Sequence, residues 1–93
     1  MQNKPWYLYL IECVDGSIYT GITVDVAARY RAHQSGKGAK YTRSHPPKQL
    51  LKVLVFNSRS EASIAEYATK QLSAPEKWAL VSSKAEQDDI MSN

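Results

Sequence analysis

Residues 6–22, Trp6-Tyr7-Leu8-Tyr9-Leu10-Ile11-Glu12-Cys13-Val14-Asp15-Gly16-Ser17-Ile18-Tyr19-Thr20-Gly21-Ile22, decide how the chain folds. From Trp6 to Cys13 the residues are aromatic or branched-apolar on both alternations, the pattern of a strand covered on both faces. Val14 to Ser17 form a turn and Ile18 to Ile22 a second strand, so the stretch reads as a hairpin. Its loop length decides which side chains share a face. With Asp15-Gly16 as a two-residue turn, Glu12 opposes Tyr19 and Tyr9 points to the other side of the sheet. With the three-residue loop Val14-Asp15-Gly16 and Gly16 left-handed, Ile11 pairs with Tyr19 and Tyr9 with Gly21, placing both phenols on one face. The second register is the one predicted, with an open notch at Gly21 beside the Tyr9 ring, although a strand glycine equally fits a simple bulge.

Working outward, Thr23 or Asp25 caps a helix through Ala27, Ala28, Arg29, Tyr30, Arg31, Ala32 and His33 that the glycines at 36 and 38 end. The segment from Gly36 to Pro47 reads as a long basic loop, kept extended at its end by Pro46 and Pro47. Gln49 to Phe56, QLLKVLVF, follows as a third strand. Ser58-Arg59-Ser60-Glu61 has the spacing of a capping box and opens a helix through Ala62, Ile64, Ala65, Ala68 and Leu72. Ser73-Ala74-Pro75-Glu76 repeats that spacing ahead of a last helix over residues 74–82, with Trp78 or Leu80 as its anchor in the core. The expected fold is α+β, a small three-stranded sheet with flanking helices in the order β-β-α-β-α-α. Residues 1–83 make one domain and residues 84–93 a frayed polar tail.

A chain of 93 residues has room for a single modest core. No apolar run approaches the roughly 18 residues that span a bilayer, and the first residues lack the order of a signal peptide, so the expected location is cytoplasmic. The lone Cys13 reads as a small buried hydrophobe, and the count excludes a thiolate metal cluster. Net charge is only +3, yet between Val26 and Ser60 stand Arg29, Arg31, Lys37, Lys40, Arg43, Lys48, Lys52 and Arg59 with no acid among them. Glu86, Asp88 and Asp89 gather in the last eight residues. Such a stretch suits a polyanionic partner, or serves as a solvated face that favours solubility.

Tyr7-Leu8-Tyr9 and Tyr19-Thr20-Gly21 resemble the two tripeptides that name the GIY-YIG nucleases. Arg29 in the first helix, His33 one turn later and Glu66 in the helix after the third strand follow in the family's order, so the resemblance covers residues 6 to 80. The loop Gly36-Lys37-Gly38-Ala39-Lys40-Tyr41-Thr42-Arg43 further resembles the compact stand-alone bacterial branch. That branch is similar in turn to the catalytic domain of excinuclease C and to those of eukaryotic structure-specific junction resolvases. The resemblance implies hydrolysis of DNA phosphodiesters by one magnesium or manganese ion, with Glu66 as its sole protein ligand and water completing the shell. It implies Tyr9 as acceptor of the proton of the attacking water, a task for which a phenol of intrinsic pKa about 10 needs nearby cations. Arg29 would present a planar fork to the charged phosphate, Tyr19 would hold water or phosphate, and His33, at i+4 from Arg29, would act as donor or proton relay.

The resemblance has gaps. Trp78 stands twelve residues after Glu66, where other branches carry a supporting Asn, and Ile22 occupies a position that is lysine in the excinuclease branch.

Read physically, the basic loop offers Lys37, Lys40 and Arg43 as charges and Tyr41 as a ring for an exposed base, with Arg31 beside them. Nothing in it reads sequence, so salt-sensitive recognition of branched, nicked or unpaired nucleic acid in repair or recombination is expected. Two other readings stand beside the nuclease: a nucleic-acid-binding module without turnover, and an adaptor that recruits a repair protein through exposed aromatics and the acidic tail.

Overall fold

The computed structural model describes residues 4–82; the tail expected over 84–93 lies outside them. Strands β1 (Trp6–Cys13), β2 (Ile18–Thr23) and β3 (Pro47–Phe56) form one antiparallel sheet in the order β2-β1-β3. Helices α1 (Val26–Gln34) and α2 (Lys40–Ser44) lie between β2 and β3, and α3 (Arg59–Lys70) and α4 (Ala74–Ser82) follow. This is the α+β fold expected from sequence, with one short helix added.

The hairpin takes the three-residue loop. Gly16 has φ +89°, its amide donates to the Cys13 carbonyl at 2.9 Å, and Cys13 N–H donates to Ser17 O at 2.8 Å. The Asp15 carboxylate accepts from Ser17 N–H at 3.1 Å and Ser17 Oγ–H at 2.7 Å, holding the turn from inside. Ile11 therefore pairs with Tyr19, and Tyr9 with Gly21.

As the middle strand, β1 is buried on both faces. Leu8, Leu10, Ile11 and Cys13 have no exposed surface and Tyr9 retains 2%. Tyr9, Ile11 and Cys13 face one side, where Tyr19, Val53 and the α1 residues Val26 and Tyr30 pack on them. Leu8 and Leu10 alternate to the other side, and α3 is in contact with all three strands. Against β1, β3 carries two irregularities, passing Leu51 between Leu10 and Ile11 and Lys48 between Glu12 and Cys13.

Three sequence expectations are corrected. The segment from Gly36 to Pro47 is not loop throughout: residues 40–44 wind into α2, held by the buried Thr42. Strand β3 begins at Pro47 rather than Gln49, which an edge strand tolerates because proline lacks only a donor. Helix α4 spans the expected residues but buries none of them; Trp78 is exposed and Leu80 half-buried, so neither anchors it in the core. Among the described residues no helix is long and apolar enough to cross a membrane.

Candidate active site

Three side chains distant in sequence, from Tyr19, Arg29 and His33, gather around the phenol of Tyr9, and the Glu66 carboxylate lies within electrostatic reach of it. Tyr9 is carried inward by the middle strand, and its hydroxyl lies 2.9 Å from Nε2 of His33 in a buried contact. Tyr19 joins from β2, with its ring centroid 6.2 Å from that of Tyr9 and 5.1 Å from the His33 imidazole. The notch expected at Gly21 is not open: it is filled by Tyr9 itself, whose hydroxyl lies 2.5 Å from where a Cβ on Gly21 would stand.

Helix α1 supplies two members. Asp25, not Thr23, caps it, accepting from Ala28 N–H at 3.0 Å, while Thr23 Oγ1 accepts from Asp25 N–H at 3.1 Å. Val26, Tyr30 and His33 recur at helical spacing on the face toward the sheet, which buries His33 to 1% exposure and brings Arg29 alongside Tyr9. Arg31 lies on a different face of α1, in a shallow depression with Ala28, Ala32, Gln34 and Ser35, away from the cluster.

Helix α3 supplies the acid. Ser58 caps it by accepting from Glu61 N–H at 3.1 Å, and the Glu61 carboxylate accepts from Asn57 N–H at 3.2 Å. The Arg59 guanidinium sits 5.5 Å from the Trp6 ring and ties the helix start to β1. Ala62 and Thr69 are buried, and Glu66 lies between them at i+4 and i+7 of the same inward face. Its carboxylate keeps partial access to solvent and pairs with Lys70 Nζ at 3.2 Å.

The electrostatics of Tyr9 reflect this company. Burial pushes its pKa up to about 12, the Arg29 guanidinium donating to it pulls the other way, and the Tyr19 and Glu66 groups raise it further. His33 is held below the usual imidazole range, first by burial and then by the Arg29 charge, so it is neutral at pH 7.

A residue without an obvious sequence signal completes the buried chain. Thr42 of α2 lies with Oγ1 2.7 Å from His33 Nδ1, and its hydroxyl donates to the Ala39 carbonyl at 3.0 Å. With that proton engaged, Thr42 is free to accept from His33 over the short 2.7 Å contact, a pattern that favours the ring proton on Nδ1 and the Nε2 lone pair toward the Tyr9 O–H. The Ala39 amide also approaches Nδ1, at 3.4 Å, a much longer contact than the 2.7 Å to Thr42. Tyr9, His33, Thr42 and Ala39 O thus form one directed line of hydrogen bonds.

Lys37, Lys40 and Arg43 are exposed on and before α2. Tyr41 stacks on His45 at 4.0 Å and 7° and lies 5.8 Å from Tyr19 at 24°, so its ring belongs to an aromatic ladder leading out from the cluster. A divalent ion would find Glu66 as its acid, since the described residues hold no group of three or more His, Cys, Asp or Glu side chains. A single, partly exposed carboxylate fits a hard cation that keeps most of its water and suits no soft or thiolate-bound metal.

Residues 5–79 match the GIY-YIG catalytic domain. The chain is 58% identical over 77 residues to UPF0213 protein Reut_B5558 of Cupriavidus pinatubonensis, covering 83% of this chain and 86% of that protein. It is 45% identical over 89 residues to UPF0213 protein YhbQ of Salmonella arizonae, covering 96% and 89%. The solution structure of UPF0213 protein BH0048 from Bacillus halodurans superposes with a TM-score of 0.55 at 50% identity, covering 84% of this chain and 83% of that one. With Tyr9, Tyr19 and Arg29 gathered together, Glu66 within electrostatic reach of Tyr9, and a family match over most of its length, the chain belongs to the GIY-YIG family of nuclease catalytic domains.

Proposed function

We propose that this protein is a metal-dependent endonuclease that hydrolyses DNA phosphodiesters, selects branched or unpaired structure, and serves DNA repair or recombination. The reading rests on one observation above others: the Tyr9 hydroxyl is hydrogen-bonded to a neutral histidine and lies within electrostatic reach of both a guanidinium and the Glu66 carboxylate.

A phenol of pKa about 12 is ionised in only about one molecule in 10⁵ at pH 7, so Tyr9 does not act as a standing phenolate. His33 removes the difficulty. As the Tyr9 oxygen takes a proton from the attacking water, its own proton passes to Nε2 of His33, 2.9 Å away. The imidazole then holds two protons, Nε2–H toward Tyr9 and Nδ1–H toward Thr42. Arg29, which disfavours that imidazolium, is placed to meet the negative charge that develops on the phosphate, so the two costs offset as the reaction proceeds. Tyr19 orients water or phosphate from the neighbouring strand. Magnesium or manganese held at Glu66 would supply positive charge to a phosphate oxygen.

Lys37, Lys40, Tyr41 and Arg43 would contact the nucleic-acid backbone from the loop and α2, and Arg31 would reach only a substrate that wraps α1. The test is cleavage of branched, nicked and single-stranded DNA by the pure protein with Mg²⁺ or Mn²⁺. Cutting that falls at least ~100-fold in Glu66→Ala is expected. Binding without cutting on any substrate would replace this reading with that of a nucleic-acid-binding module.

A further inference from the structure

Next to the Tyr9 cluster lies a cleft that shares Tyr19 and Tyr41 with the scheme above but whose lysine side that scheme does not use. Its volume is about 310 Å³, and it is lined by Ile18, Tyr19, Thr20, Tyr41, Lys70 and Lys77. Cavities that seat small molecules or single ligand units begin at about 300 Å³, so there is room for one nucleotide unit.

The charges in the cleft are of one sign. Lys70 ends α3 and Lys77 lies in the first turn of α4. The turn between them is fixed by a reciprocal capping box: Ser73 N–H donates to Glu76 Oε1 at 2.8 Å and Glu76 N–H to Ser73 Oγ at 3.3 Å. Lys77 N–H donates to Ser73 O at 2.9 Å, so the backbone that carries its side chain is held in place. Lys70 is paired with Glu66, whereas among the described residues no ion pair engages Lys77, and no carboxylate lines the cleft.

The facing wall is aromatic, formed by the Tyr19 and Tyr41 rings at 5.8 Å and 24°. Thr20, also a lining residue, is 3% exposed, and its Oγ1 is buried with no hydrogen-bond partner. The Lys77 ammonium, the Glu66-paired Lys70 and two phenol rings around a nucleotide-sized space are complementary to a phosphate with its attached nucleoside.

We propose that this cleft seats a phosphodiester adjoining the scissile one, with Lys77 as its main charge contact and the Tyr19–Tyr41 wall against the attached nucleoside. The proposal rests on the nucleic-acid reading of the site but not on catalysis, so it is tested without metal. Binding of a fluorescein-labelled single-stranded 12-mer in EDTA is measured by anisotropy over a range of salt. Lys77→Met is expected to weaken binding about five- to tenfold and to lower the salt slope by about one, and Lys77→Arg to restore both. Lys4→Met, the same charge change outside the cleft, is expected to leave both unchanged.

Wild-type binding by Lys77→Met, or an equal loss in Lys4→Met, overturns the proposal. Displacement of the oligonucleotide by dTMP at equal nucleotide concentration reassigns the cleft to free nucleotides and overturns it too. Absence of cleavage with Lys77-dependent binding intact would remove the nuclease reading and leave this cleft standing.

Discussion

Gly38 lies against His33 so closely that a Cβ built on the glycine would overlap Nδ1 of the ring. The imidazole is fully buried and held at both nitrogens, so it cannot swing aside without breaking its contacts to Tyr9 and Thr42. Gly38→Ala is therefore expected to destabilise the fold by about 1–3 kcal/mol and to lower cleavage at least ~10-fold. Urea denaturation beside a cleavage assay checks both, and a fully active, equally stable variant would show that the ring is free to move.

Thr42→Val removes the acceptor on Nδ1 and keeps the shape of the side chain. His33 is then no longer committed to one tautomer, and two-dimensional ¹⁵N–¹H spectra of the ring are expected to shift from Nδ1–H toward a mixture. Cleavage is expected to fall about tenfold, because part of the population presents a proton rather than a lone pair to Tyr9. An unchanged ring spectrum would remove Thr42 from the line of hydrogen bonds.

The depressed pKa of His33 makes stability depend on pH. Below its ordinary value of about 6.5 the unfolded chain binds a proton that the folded chain does not, so stability falls as the pH drops from there toward the lower folded value. The raised pKa of Tyr9 acts at the other end: above about pH 10 the unfolded chain loses a proton that the folded one keeps up to about 12, and stability falls again. Denaturant midpoints at pH 5, 7.5 and 10.5 are expected to show both losses. His33→Gln should flatten the acidic limb and Tyr9→Phe the alkaline one.

The hairpin register was legible in the sequence because Asp15-Gly16 allows few turns and only one of them puts the two tyrosines together. Helix limits were legible where a side chain caps them, as at Ser58 and Ser73. Helix α2 was not, because five residues are too few for a periodic pattern and Thr42 gains its place from the buried His33 rather than from local propensity. Trp78 misled for the opposite reason: a large apolar residue at a plausible spacing looks like an anchor, yet α4 reaches the rest of the molecule along its edge and leaves the indole exposed. Arg29, His33 and Glu66 were named by likeness to a family, and the sequence alone offered no physical reason for their joining the two tyrosines that the hairpin register brings together. Thr42 and Lys77 carried no such signal, since a single threonine or lysine marks nothing until a fold gives it neighbours.

The ion pair between Glu66 and Lys70 leads to a further expectation. A divalent ion approaching Glu66 must displace or share the carboxylate with an ammonium 3.2 Å away. Exposed i,i+4 pairs are worth about 0.3–0.5 kcal/mol, so Lys70→Met is expected to tighten Mn²⁺ binding by at least about twofold. Manganese electron paramagnetic resonance on the DNA-free protein reads this directly, and weaker binding in the variant would mean that Lys70 assists the ion.

Ser58→Ala tests how Glu66 is held. Loss of the cap is expected to cost about 1 kcal/mol and to fray the first turn of α3, which ends at Ala62, four residues before Glu66. Thermal melting checks the stability, and a loss well above that figure would show that the cap also fixes how α3 sits on the sheet.

Strand β1 is synthesised first but lies in the middle of the sheet, and its second edge is satisfied only when residues 47–56 arrive. During translation the hairpin therefore waits with an apolar, hydrogen-bond-hungry border, a hazard for association with other nascent chains. The same order of assembly delays the site: a polypeptide released before α3 carries Tyr9, Tyr19 and Arg29 but not Glu66, so the candidate cluster is completed only when the last helices have been made.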